Sequence, residues 1–248
     1  MASRPLSIPI EDFGDAVWRA NALGGAAEAT VATGHPALDA QLPGGGWPVG
    51  AISEILQLQS GQHEWRLLLP ALTRADLGPV TVLVGAPHAP FGPGLVAQGF
   101  DARRLLWVNV AVLAERLWAA EQALRCAEVA AVLAWLPQVR APQLRRLQIA
   151  ASMHHKLLFV MRPAQAQDES SPAVLRLLVV NSPSGVDTPT QALRLHILKR
   201  RGPPLAQALV LPESSTRLKV LLAVSGHADA GGYKQEGDDA LGRLAAAA

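Results

Sequence analysis

Residues 51–74 read AISEILQLQSGQHEWRLLLPALTR, and the order of signals within them decides the class of fold. Ala51 to Gln57 has the length and apolar content of a strand, Ser60-Gly61-Gln62 breaks it, and Glu64 to Arg74 carries a helical run of leucines. Strand, loop and helix in that order open a βαβ unit, and the pattern continues downstream. Val80 to Val84 and Leu105 to Val108 are continuous apolar runs, expected as strands in the buried middle of a parallel sheet. Between Ala111 and Glu128 the residues Leu113, Leu117, Ala120, Leu124 and Ala127 recur at helical spacing, with Glu121 four before Arg125 on another face. Val129 to Leu136 reads as the next strand, Pro142 to Met153 as a helix with proline at its start, and Leu157 to Met161 as a further strand. This alternation predicts an α/β fold with right-handed crossovers and a mostly parallel sheet.

Outside that run the signals change. Val174 to Val180 and Leu193 to Lys199 read as strands around the turn-rich NSPSGVDTPT (181–190), with Gln207 to Leu211 and Leu218 to Val224 as shorter pieces. Antiparallel strands are therefore expected to close one edge of the sheet. Upstream, EDFGDAVWRANA (11–22) reads as a short amphipathic helix with Phe13, Val17 and Trp18 near one face and Glu11 and Asp12 at its N-terminal end. The expected organisation is a helical arm and linker over 1–30, a core over 31–212 and a flexible Gly-, Ala- and Asp-rich tail over 213–248.

Half of the 248 residues are hydrophobic and 17% are charged, which excludes disorder as the general state. A chain of this length buries roughly 70–75% of its unfolded surface. With six Trp, four Phe and one Tyr, that core has to be filled by Leu, Val, Ile and Ala. The longest uncharged run, Leu77 to Phe100, carries Pro79, Pro87, Pro90 and Pro93, so it reads as a strand and a loop instead of a membrane helix. MASRPLSIPIEDF has no apolar core of a secretory signal, and the lone Cys126 has no disulfide partner within the chain; a reducing, cytoplasmic setting is expected. Cys126 itself is expected to be a small buried residue, and Trp107, Trp118 and Trp135 to lie in the core.

Thr33-Gly34, Leu38-Asp39, the turn Gly44-Gly45-Gly46 with Pro48 and Gly50, and Ser53-Glu54-Ile55 resemble the entry to the ATPase core of the RecA family, where a TG…LD…GG.P.G…EI run feeds the phosphate loop. QLPGGGWP (41–48), EWRLLLPAL (64–72), LWAAEQALR (117–125), VLAWLP (132–137), LRRLQIAA (144–151) and ILKRRG (197–202) are more specifically similar to the ImuA family. The likeness runs over residues 15–211. That family comprises RecA-like proteins of error-prone translesion synthesis in bacteria, grouped with the SulA-type cell-division inhibitors. The resemblance implies a RecA-like core and an adaptor role in the SOS response. Its implied partners are an ImuB-like Y-family polymerase homologue, an error-prone polymerase III alpha-type subunit and RecA, with DNA as a secondary contact and no membrane.

The resemblance also makes a chemical test possible. A working phosphate loop needs glycines that let backbone N–H groups surround the phosphates, a lysine to bridge them and a hydroxyl on magnesium. Here Gln57 stands at the first-glycine position, His63 at the lysine position and Glu64 at the hydroxyl position, around Ser60 and Gly61. Pro87 takes the place implied for the catalytic glutamate and Trp135 that of the magnesium aspartate. The expectation is a pseudo-ATPase with no catalytic residue, cofactor or metal. An ATPase in which Ser60, Gly61 and His63 do the work, and a SulA-like division inhibitor, are the competing readings.

Other constellations read as structural. His154-His155 at a helix end point apart and cannot chelate one ion. His35, His63 and His88 lack ligand spacing for a metal, and Ser182, Ser184, Asp187 and His196 have triad residue types but no nucleophile elbow. The charge is more informative. Residues 1–139 hold 8 Lys and Arg against 12 Asp and Glu, while 140–219 hold 12 against 4, so a net charge of +2 conceals a basic segment. Within it Arg194 and His196 alternate with Leu193, Leu195 and Ile197 and lead into Lys199-Arg200-Arg201. These five residues, with Trp18 in the arm, are the candidate contacts for a partner or DNA.

Overall fold

The computed structural model describes residues 29–74, 78–181, 192–203, 205 and 207–211. Thr30–Val31 (β1) and Trp47–Pro48 (β2) form a small antiparallel ribbon at the entry to the domain. Between them lie the short helix Pro36–Asp39 (α1) and a 3-10 turn at Pro43–Gly45. Gly46 is obligatory here because a Cβ would collide with the Val31 carbonyl.

The alternation read from the sequence then follows. Ile52–Gln57 (β3) leads to Glu64–Leu72 (α2), Val80–Val84 (β4) to Gly92–Ala97 (α3), and Leu105–Val108 (β5) to Leu113–Arg125 (α4). Val129–Trp135 (β6) leads to Ala141–His154 (α5), and Leu157–Pro163 (β7) through a 3-10 turn at Ala164–Asp168 to Leu175–Asn181 (β8). Leu193–Lys199 (β9) and Leu209–Leu211 (β10) finish the described sheet. Its order is β10-β9-β8-β3-β7-β6-β4-β5; β8 through β5 pair in parallel, and β9 and β10 are antiparallel, as expected for the C-terminal strands.

Period-two geometry divides each apolar strand between two layers. Leu83, Leu133, Phe159 and Met161 face α2 and α3, where Leu67, Leu68, Leu72 and Leu95 pack. Val82, Val84, Val132, Leu158 and Val160 face α4 and α5, against Ala120, Leu124, Leu144 and Leu147. Trp47 closes the first layer edge-on to Phe159, with ring centroids 5.2 Å apart.

The structure corrects the sequence reading in several places. β5 is an outer strand and not a central one, so Leu106 is exposed and Trp107 is 38% exposed. Trp118 looks outward from α4 at 64% exposure, whereas Trp135 is buried as expected. Cys126 follows the last turn of α4 and is exposed. The loop expected after Val84 contains α3, which begins with Gly92 and Pro93. Proline at the first turn of a helix costs no hydrogen bond, which is why a Pro-rich segment could hide one. The expected arm helix over 11–22 and the strand over 218–224 lie outside the described residues. The described residues all fall within the unit Met1–Ser214, and the unit Ser215–Ala248 lies outside them. Among the described residues no helix is long and apolar enough to cross a membrane.

Two buried polar devices pin the layers. Glu54 on β3 is fully buried; its Oε1 accepts from Arg162 Nη1 on β7 at 2.8 Å and its Oε2 from Arg176 Nε on β8 at 2.5 Å. Arg162 Nη2 also donates to Glu169 at 2.6 Å, and Arg176 Nη2 to the Ala166 carbonyl at 2.7 Å. The second device is the turn before α1. The Thr33 N–H donates to Asp39 Oδ1 at 2.7 Å, and His35 Nε2 donates to the Leu67 carbonyl at 3.2 Å, beside the Arg66 carbonyl that Pro70 deprives of its helical N–H. A carbonyl only accepts, so His35 Nε2 carries a hydrogen.

Burial pushes the His35 imidazole below its ordinary value of 6.5, against the opposing pull of the Leu67 carbonyl and Asp39. Its folded pKa is depressed, so the unfolded chain takes up a proton first as the pH falls. Stability is therefore expected to be flat above about pH 6.5 and to decline below it, by up to about 1.4 kcal/mol per pH unit for this one group. Urea unfolding of the native chain and of His35→Gln between pH 7.5 and 5.5 checks this; equal slopes would exclude His35 as the source.

Candidate functional site

The carboxyl ends of β3, β4 and β6 and the loop leading into α2 share one edge of the sheet, where ligands of open α/β sheets settle. Here the loop wraps a carboxylate of its own chain. Glu64, the first residue of α2, is only 2% exposed and turns its side chain back into the loop. Its Oε1 accepts from the Gly61 N–H at 2.7 Å, Gln57 Nε2 at 2.6 Å and Trp135 Nε1 at 2.9 Å. Its Oε2 accepts from the His63 N–H at 3.0 Å.

Each donor is supplied by a different part of the fold. Gln57 ends β3 and is itself buried, Trp135 ends β6, and Gly61 and His63 turn their backbone N–H groups inward. Gly61 has φ +91° and lies so close to the His88 ring that a Cβ would sit 2.6 Å from Cδ2, with Pro87 beside it. The positive φ is what favours glycine at this position. The positive end of α2 adds to the attraction for the carboxylate. Burial holds the His63 imidazole below its ordinary value, with Glu64 pulling the other way, so the side chain at this place brings no strong positive charge. Ser60 is half-buried in the same loop.

Of the residues that the sequence singled out, Gln57, Gly61, Glu64 and Trp135 meet in the structure, with His63 contributing its backbone N–H. The sequence reading did not anticipate that the Glu64 carboxylate would be the anion they bind. The signal was an acid at the start of a helix directly after a Gly-containing turn. Among the described residues no three His, Cys, Asp or Glu side chains gather to hold a metal, and His35 is spent on α2.

The basic candidates separate in space. Arg194 and His196 are half-buried on the face of β9 opposite Leu193, Leu195 and Ile197; Arg194 pairs with Val180 on one side and Val210 on the other, and His196 with Leu178. Lys199 Nζ donates to the Ser171 carbonyl at 3.1 Å. Arg200 is tied by Nη1 to the Gln41 carbonyl and by Nε to that of Pro203, and Arg201 lines a shallow cleft with Thr30, Pro43 and Pro48. Arg200 thus anchors β9 to the entry loop. Trp18 lies outside the described residues.

Sheet and site together define the class: an α/β domain, mostly parallel, whose strand–loop–helix crevice is closed by a side chain of its own helix. No family model matches the chain. It is 37% identical over 127 residues to Protein ImuA of Caulobacter vibrioides strain NA1000 / CB15N, covering 47% of this chain and 50% of that protein. It is 33% identical over 104 residues to the cell division inhibitor SulA of Edwardsiella piscicida, covering 41% of this chain and 61% of SulA. With SulA of Photorhabdus laumondii the identity is 31% over 120 residues, covering 47% and 68%. The chain is related to the SulA-type proteins, covering two thirds of the Photorhabdus one, and is similar to ImuA, spanning about half the length of the ImuA proteins it matches.

Proposed function

We propose that this protein is a non-catalytic, RecA-like adaptor of the bacterial DNA-damage response, serving error-prone translesion synthesis. Kinship with ImuA supports the pathway. The observation that carries the non-catalytic reading is Glu64: the loop donors a triphosphate would need are occupied by a buried carboxylate, and a second anion beside it would be repelled. The adaptor would bring an ImuB-like polymerase homologue and an error-prone polymerase III alpha-type subunit together, with RecA as a third candidate partner and DNA touched secondarily.

Equilibrium titration with labelled ATP and magnesium should give no saturable binding; low-micromolar affinity, with turnover lost in His63→Ala, would overturn this reading in favour of an ATPase. Replacing Lys199 and Arg201 by Ala is expected to weaken capture of the polymerase homologue and to reduce salt dependence, since each lost phosphate or carboxylate contact removes counterion release. Arg200→Ala should instead lower stability, because it frees the entry loop. A second reading, a SulA-like division inhibitor, is favoured by the 68% coverage of the Photorhabdus protein. Filamentation on overexpression in a strain lacking the polymerase homologue would support that one.

A further inference from the structure

Among the described residues nothing covers the outer face of α4 and α5. Trp118 is 64% exposed, Ile149 60% and Met153 70%, which is unusual for side chains of this size on a helical layer otherwise packed against a sheet. Between the helices runs a groove of about 720 Å³, lined by Arg125 of α4 and by Pro142, Arg145, Arg146, Ile149 and Met153 of α5. Its floor holds Glu121, buried and paired with Arg125 and Arg146 at 2.5 Å each. Two guanidiniums therefore hold one carboxylate, a third, that of Arg145, lines the groove, and the groove is apolar with a basic rim.

We propose that this groove seats the chain's own acidic N-terminal segment, residues 11–22. That segment offers Phe13, Val17 and Trp18 as apolar anchors and Glu11, Asp12 and Asp15 as acids, with no base before Arg19. The described chain begins beside the groove: the Val49 N–H donates to the Ala29 carbonyl at 2.9 Å, and the adjacent Gly50 N–H donates to the Lys156 carbonyl at 2.9 Å, two residues beyond the end of α5. Ten residues separate Trp18 from Ala29, enough to span about 33–36 Å. The 14 residues of α5 extend about 21 Å. Every point of the groove is within reach, and the tether holds the segment at an effective concentration near millimolar. The segment offered by its sequence as a partner contact thereby has a seat on its own domain; this inference does not depend on the adaptor reading.

Cys126, exposed and immediately after Arg125, provides the test on the full chain, because it is the sole cysteine. A benzophenone maleimide placed there should photo-cross-link within one molecule to residues 11–22, with a yield independent of protein concentration. Ile149→Asp combined with Arg145→Glu should lower that yield about tenfold, as losing an apolar anchor and a charge contact weakens docking by two orders of magnitude or so. Val17→Asp with Trp18→Asp should do the same and leaves the described domain untouched, which guards against misfolding of the first variant. Cross-links that avoid residues 11–22, that form only between copies, or that persist in the arm variant would overturn the proposal.

Discussion

Glu54→Ala is expected to remove about 3–5 kcal/mol of stability, because it leaves the Arg162 and Arg176 guanidiniums inside the domain with no carboxylate between them. A domain of ordinary stability has about 5–15 kcal/mol in total. The variant should therefore unfold at much lower urea, or accumulate poorly. The cost lies in stranding the Arg176 charge and half of the Arg162 pairing, which keeps only Glu169, more than in the lost pair. Replacing Glu54, Arg162 and Arg176 together by apolar residues of similar volume should restore much of the midpoint, because a buried triad and a well-packed apolar substitute are often close in free energy. If the triple variant is no more stable than Glu54→Ala, the damage is a packing defect and the electrostatic account fails. Urea midpoints for the single, conservative Glu54→Gln and triple variants make the comparison.

Glu64→Ala is expected to behave differently although the side chain is equally buried. It leaves Gly61 N–H, His63 N–H, Gln57 Nε2 and Trp135 Nε1 converging on an empty place. Unpaired buried donors cost about 1–3 kcal/mol each when nothing relaxes, and a loop at the sheet edge can admit water, so a net loss of about 2–4 kcal/mol is expected. The vacancy has the donors of an anion site, so acetate or inorganic phosphate should return stability to the variant. The thermal midpoint should then rise with the logarithm of anion concentration at constant ionic strength, while the native chain shows no such dependence. A variant as indifferent to these anions as the native chain would mean that the loop collapses without Glu64. In that event the donors are arranged by the carboxylate and are not a site awaiting one.

Most of the layered architecture was legible because each long apolar run has one reading consistent with its neighbours. Val80–Val84, Leu105–Val108 and Leu193–Lys199 appear with the bounds that their composition implies. What periodicity could not supply is position within the sheet. Leu105–Val108 is as apolar as a central strand yet lies at the outer end, and Trp118 fits a helix face without that face having a neighbour among the described residues. At the site, the types of residue were readable from spacing but their chemistry was not. Whether Glu64 opposes a ligand or replaces it depends on which way one carboxylate turns, and that is decided by Trp135, seventy-one positions away.

The central place of β3 has a consequence for how the chain is made. Its two neighbours, β7 and β8, are encoded roughly a hundred residues or more downstream. At about 5–20 residues per second, the ribosome takes some 6–25 seconds to supply β8 after β3 has emerged. Until β7 emerges, Ile52, Ile55 and Leu56 have no sheet to join and Glu54 has neither arginine, and until β8 emerges it has only Arg162. A nascent chain stalled between α5 and β7 should accordingly be a substrate for chaperones, and one stalled after β8 should not.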